Sequence, residues 1–371
     1  MSIKKLEIIS QMKIYKAAII GLGPSGLAVN KILYGDSYNE IIAFESEDIN
    51  KRDNIFGFWL TDWMKPFEKI IEKKWYKWSI GNKNTNVTHT TLDKPYCVIS
   101  FKTWKKFCLE TKNKLEIINK QVVQYFPEQN YFKIITTDDK IYYAENIFDS
   151  RSAIEKKDEL LQHFFGINIT AADNTFNENK LTLMHFTEEN NVLHFMYILP
   201  FSHNKALVES TVFSKNVFQN SWYREKINAY LKKNNINKFK EQSSEKGVIP
   251  MFFAEEKRSV NSNIFNIGIR GGACKPSTGY AFPFLIKQIQ LLKNSKKNYI
   301  NIHNFIERKM DKVFINFLKN NREDGKSFIK LASNLNGNEF QSFMMGESNL
   351  LTKLKIINSM PKLPFIKELF K

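Results

Sequence analysis

The segment Lys16 to Glu45 reads KAAIIGLGPSGLAVNKILYGDSYNEIIAFE, and the order of its residue types decides the fold. Ala17 to Ile20 is a short apolar run of strand length, and Gly21-Leu22-Gly23-Pro24-Ser25-Gly26 follows it directly as G-x-G-x-x-G. Leu27 to Leu33 then spaces its apolar residues as a helix does, and Ile41 to Phe44 is a second apolar strand that ends at Glu45. In such a unit Gly21 makes the tight turn. Gly23 lets a pyrophosphate approach the backbone at the helix N-terminus, with Pro24 and Ser25 beside it, and Gly26 lets helix and strand pack closely. Glu45 lies 24 residues beyond Gly21, close to the offset of roughly 20 typical of the acid that binds the ribose. No basic residue directly follows Glu45, so a 2′-phosphate is not anticipated.

A second glycine segment, Gly268 to Pro283, reads GIRGGACKPSTGYAFP. The apolar run Ile264 to Ile269 predicts a strand that delivers the chain to Gly271 and Gly272, where missing side chains allow a cofactor to come close. Pro276 suits the first turn of a helix, Ser277 and Thr278 suit its free backbone donors, and Gly279 completes the turn. An open helix N-terminus favours negative charge. Taken alone, the segment also fits a glycine-rich turn before a core helix.

The 371 residues include 43% hydrophobic residues, enough for a sizeable core and two intimately joined domains. No run of 18 apolar residues is present to span a membrane, and Met1 to Met12 lacks the apolar stretch of a secretory signal. Cys97, Cys108 and Cys274 are odd in number and widely spaced, which predicts reduced thiols in a cytoplasmic protein and no metal site. The net charge of +17 comes from scattered lysines. Only seven of the 55 basic residues are arginine, and no nucleic-acid-binding motif accompanies them, so no nucleic-acid partner is expected. A basic surface also attracts anionic lipid headgroups, and the tail from Leu350 to Lys371 mixes apolar residues with lysines. That tail fits either a membrane-surface segment or two short helices closing the core.

Between the glycine segments, Trp104 to Thr111 reads as a helix, while Lys114 to Tyr125, Tyr131 to Thr137 and Ile141 to Phe148 read as strands. Leu181 to Phe186, Val192 to Leu199 and Ala206 to Val212 read as a meander, with helices at Lys226 to Asn234 and Ile302 to Leu318. This order predicts an α/β protein: a Rossmann-type FAD-binding domain, of the glutathione-reductase and hydroxylase kind, interleaved with a smaller antiparallel β plus helix substrate domain. The FAD-binding parts are assigned to residues 1–80, 121–160 and 251–295. The substrate parts are assigned to 81–120 and 161–250, and a C-terminal helical part to 296–371.

Taken in order, the motifs GLGPSG, GFWLTD (Gly57 to Asp62), FDSR (Phe148 to Arg151), QHFFG (Gln162 to Gly166), LVEST (Leu207 to Thr211) and KPSTGYAFP resemble the lycopene cyclases, as does the closing segment SFMMGESNLLTKLKIINSMPKLPF. QHFFG, LVEST and PSTGY in this order are the specific part. The resemblance implies an enzyme that binds FAD, active in its reduced form with NAD(P)H as reductant. It would cyclise the ends of lycopene or a related linear carotenoid, with β rings as products, without net redox change and while attached peripherally to a membrane. That chemistry starts by protonating a terminal double bond, so it needs a carboxyl that keeps its proton in an apolar place and a negative charge facing a cation.

Glu209 is the first candidate for the acid, because its strand is otherwise apolar or small. The family commonly has two adjacent acids at this point, whereas Ser210 follows here. His163 is a second candidate for proton handling, in a QHFFG stretch that reads as a turn against substrate, or else a structural histidine. His185 stands where the family usually has an acid. Asp149 and Arg151 close a strand and either position the flavin or simply pair with each other. Most of the aromatic cluster Phe56, Phe58, Trp59, Trp63, Trp75 and Trp78 is expected to be core. Two other classes share the cofactor motifs: a flavin oxidoreductase such as an isoprenoid reductase or hydroxylase, and a non-catalytic flavin or carotenoid carrier. No second G-x-G-x-x-G is present for a nicotinamide, and Glu209 is not needed by a carrier.

Overall fold

A computed structural model describes residues 13–151, 158–189, 192–253, 259, 261–295, 297–320 and 325–360. Ala17–Ile20 is the middle strand of a five-stranded parallel sheet in the order Ile264–Asn266, Ile147–Asp149, Ala17–Ile20, Glu40–Phe44, Lys114–Ile118. All four of its residues are buried, as a strand covered on both faces must be. The helix after the glycine turn runs Pro24–Ala28 and continues as a π-helical turn at Val29–Leu33.

Seven strands form the second large sheet, in the order Phe239–Pro250, Leu161–Ala171, Lys205–Ser214, Leu193–Pro200, Lys180–Thr187, Lys77–Gly81, Asn86–Thr90. Every neighbouring pair is antiparallel except Lys180–Thr187 beside Lys77–Gly81. One face is covered by the helix Asn220–Lys233, whose Tyr223, Ile227 and Leu231 pack on Phe165, Ile167, Val208 and Val212. A small sheet of Ile55–Trp59, Tyr96–Ser100 and Lys73–Trp75 lies between in sequence. A four-stranded sheet joins Ile14–Tyr15 to Ile141–Ala144, Phe132–Thr136 and Val122–Pro127.

Several sequence expectations are corrected here. The runs Lys114 to Tyr125 and Ile141 to Phe148 each divide into two strands that belong to different sheets, parted by the polar stretches Asn119–Gln121 and Glu145–Asn146. The QHFFG stretch is no turn; it sits inside the strand Leu161–Ala171. The helix expected from Pro276 begins only at Phe282 and runs to Lys293. Gly279 has φ of +71°, a left-handed conformation that stops a helix from starting earlier, while Pro283 in the first turn is pre-set for it. The helix expected from Trp104 starts at Phe101, because the Ser100 hydroxyl caps it by accepting from the Thr103 amide. Lys226 to Asn234 and Ile302 to Leu318 appear as Asn220–Lys233 and Phe305–Asn320. Of the tail, Leu350–Ser359 is a helix, and residues 361–371 lie outside the described residues, as do residues 1–12. Cys97, Cys108 and Cys274 are free and buried.

Candidate active site

A single cavity of about 1030 Å³ runs from the turn Gly23–Ser25 to the inner face of the seven-stranded sheet at Glu209. At its first end the glycines divide the work. Gly21 has φ of +91°, and a Cβ there would lie 2.5 Å from Ser150 Oγ; one on Gly26 would lie 2.0 Å from the Gly21 carbonyl oxygen. Gly23 differs: the nearest atom to a Cβ placed there is Arg52 Nη1 at 3.9 Å, so its open face is a cradle that a side chain would fill. Glu45 is buried behind it, accepting from the Leu22 amide at 2.9 Å and pairing with Arg52 at 3.1 Å. Arg52 was not anticipated from sequence, since it follows Glu45 by seven residues rather than directly. An arginine beside backbone amides at a helix start suits a phosphate.

The second glycine segment supplies the next part of the wall. Thr278 and Gly279 line the cavity, and the buried Thr278 Oγ1 and Gln162 Oε1 have no hydrogen-bond partner among the described residues. A Cβ on Gly279 would fall 1.9 Å from Gln162 Oε1, so both orphaned atoms belong to one corner. Unpaired buried polar atoms are costly unless a ligand satisfies them, and the polar edge of a flavin ring fits that need. Pro276 and Ser277 stand behind the wall instead. The Ser277 hydroxyl and the Lys275 ammonium both donate to Asp311 Oδ1, each at 2.5 Å, and fasten the turn to the helix Phe305–Asn320. Gly271 and Gly272 turn the chain behind the wall: a Cβ on Gly271 would meet the Asn266 carbonyl oxygen at 2.2 Å, and Gly272 has φ of +75°. Asp149 is fully buried, bound by Arg151 at 2.6 Å and approached by Arg270 at 3.6 Å, while Ser150 between them faces the cavity.

Glu209 is buried on the cavity wall, with Thr211 donating to its Oε1 at 2.5 Å. Burial pushes its carboxyl up to about 7. Tyr197 pairs with Glu209 across the ladder, its hydroxyl 2.9 Å from that of Tyr96, and Tyr280 donates to Tyr96 at 3.3 Å. All three tyrosines line the cavity, and Gly57 leaves room for the first pair, since a Cβ there would lie 2.5 Å from both hydroxyls. A further acid, Glu245, accepts from the Ile55 amide at 2.7 Å and is also buried. Phe56 lines the cavity and stacks on Phe282 at 4.5 Å, whereas Phe58, Trp59, Trp75 and Trp78 are core.

The structure does not bring His163 to Glu209. Side chains alternate along a strand, so Gln162 and Phe164 line the cavity while His163 faces the helix, 2.6 Å from the Tyr223 hydroxyl and 2.8 Å from that of Ser214. Burial there pulls its pKa down to about 4, leaving it neutral. His185 likewise lies against Tyr230, away from the cavity.

Among solved structures, the chain resembles a geranylgeranyl bacteriochlorophyll reductase-like protein from Thermoplasma acidophilum with a TM-score of 0.64 at 11% identity, covering 97% of this chain and 99% of that one. It also resembles p-nitrophenol 4-monooxygenase from Pseudomonas putida (TM-score 0.60, 10% identity, 97% and 99% covered). A third is the halogenase PltM in complex with phloroglucinol and FAD (TM-score 0.57, 12% identity, 89% and 82% covered). At such identities these likenesses establish the fold. No curated protein sequence matches the chain. The family described as "Lycopene cyclase protein" matches residues 17–369, nearly the whole length, and the chain therefore belongs to the lycopene cyclase family.

Proposed function

We propose that this protein binds FAD at the glycine end of the cavity and converts the acyclic ends of lycopene, or a related linear carotenoid, into β-type rings without net redox change. The observation that carries this reading is Glu209: a carboxyl raised to about 7, on the wall of a cavity continuous with the dinucleotide cradle. Gly23, Arg52, Thr278 and Gln162 would hold the cofactor. When bound in reduced form, replenished by NAD(P)H, it supplies negative charge near a developing cation.

Glu209 gives its proton to the terminal double bond of the polyene. The neighbouring double bond closes onto the tertiary cation, and a proton leaves from the ring to restore a double bond, so one proton enters and one departs. Phe195, Phe213 and the three tyrosines around the cavity exclude water and present ring faces to the cation. Glu45, Asp149 and Arg151 hold the backbone of the cradle in place.

A peripheral position on a membrane supplies so apolar a substrate. Among the described residues no helix is long and apolar enough to cross a bilayer. The helix Leu350–Ser359 instead exposes Leu350, Leu351, Leu354 and Ile357, which share one face at helical spacing.

Pigment analysis of lycopene-accumulating bacterial cells expressing the chain tests the reading. A cyclic product of unchanged mass is expected, and Glu209→Gln should abolish it while flavin stays bound. Unchanged lycopene in the presence of flavin-loaded protein, or a product of altered mass as an oxidoreductase would give, overturns the assignment.

A further inference from the structure

Glu209, Gly166 and Glu245 stand in one row across three strands: Gly166 pairs with Glu209 on one flank and with Glu245 on the other. Residues directly opposite in an antiparallel ladder project from the same face. The two residues are thus separated by two strand spacings, about 10 Å between α-carbons, with a glycine between them, and Leu207 Cδ1 reaches to 3.0 Å from where a Cβ on that glycine would lie. Glu209 leans into that gap, since a Cβ on Gly166 would lie 3.3 Å from its Cβ and 3.5 Å from its Cγ. Glu245 is anchored by the Ile55 amide. Lys215 and Lys246 also line the cavity, and the other groups beside the two carboxyls are neutral or acidic. Tyr197 continues the row beyond Glu209, and Tyr96 and Tyr280 lie behind it, all three held well above the usual tyrosine range by burial. Thr211 donates to Glu209, and Asp53 adds negative charge near Glu245. Among the described residues neither carboxylate has a cation within 4.0 Å.

Two buried carboxylates with no cation between them do not both ionise at low cost. We propose that Glu245 is a positioning residue for the proton donor: it forms with Glu209 a coupled carboxyl pair across Gly166, which keeps a proton on the pair at neutral pH. Burial raises both groups, and the charge of Glu209 raises Glu245 further. The catalytic consequence rests on Glu209 being the donor; the coupling does not.

Infrared titration of the full chain, following the carbonyl band of protonated carboxyls, tests the pair. In Glu245→Gln, which keeps an acceptor for the Ile55 amide, the Glu209 midpoint should fall by about one pH unit. By linkage Glu209→Gln should lower the Glu245 midpoint equally, which decides the matter even where one variant fails to fold. Loss of both bands in the double variant completes the assignment. Midpoints that stay where they are in the single variants overturn it. In the cyclisation assay the alkaline limb of kcat/KM should move down with the Glu209 midpoint, whereas a purely structural Glu245 would lower the rate equally at every pH. Coupled midpoints in a protein that cyclises nothing would retire the cyclase reading and leave the pair standing, and cyclisation with independent midpoints would do the reverse.

Discussion

A carboxyl buried among apolar and small neighbours, that of Glu209, is the residue on which the proposed chemistry turns. Because the folded state holds Glu209 near 7 rather than at its ordinary 4.5, the native protein binds that proton more tightly than the unfolded chain. Stability from this group is therefore full below about pH 4.5 and declines as pH rises towards 7. Glu209→Gln removes that decline, so the variant should be the more stable protein at pH 8, by on the order of 3 kcal/mol, in urea unfolding followed across pH. At the other end of the cavity, Gly26→Ala places a methyl group 2.0 Å from the Gly21 carbonyl oxygen, and the purified variant should lack flavin absorbance. Glu209 was legible in the sequence because it is the one charge in an apolar run. Glu245 was not: its strand reads FKEQSSEKGVIP, a polar pattern that gives no sign of burial. Arg52 escaped because a partner seven residues away is chosen by the shape of the loop rather than by spacing.

At the level of elements, apolar runs announced the strands but not their partners. The chain from Lys114 to Tyr125 is continuous in hydropathy and yet serves two sheets, since which edge a strand joins depends on segments far away in sequence. Register was equally hidden, and register alone sends His163 to the helix side and Gln162 to the cavity. Asp311 is a comparable case. Within a helix rich in lysine it looks like a solvated charge, but it is 2% exposed and receives both Lys275 and Ser277. Removing it strands a buried ammonium, so Asp311→Ala should lower unfolding free energy by about 3–5 kcal/mol. The same variant should weaken flavin retention, measured by equilibrium dialysis, because the turn carrying Thr278 loses its fastening.

The whole molecule places a parallel sheet and an antiparallel one around a shared cavity, and the order of motifs along the chain was enough to foresee those two parts. Their meeting at one continuous space was not legible, because it arises from packing between segments more than a hundred residues apart. Net charge of +17 and an exposed apolar helix face act together at this scale. Binding to vesicles containing anionic lipid should fall as salt rises, and Leu351→Glu with Leu354→Glu should abolish it in cosedimentation without changing the melting temperature. The three buried cysteines have a use of another kind. Burial holds the thiols of Cys97 and Cys274 up to about 12 and raises Cys108 as well, so the native chain offers almost no thiolate to an alkylating reagent. Labelling by iodoacetamide then proceeds only through molecules that have opened, and each cysteine becomes a clock for its own neighbourhood: Cys97 for the small three-stranded sheet, Cys108 for the helix Phe101–Leu109, Cys274 for the turn beneath the cofactor cradle.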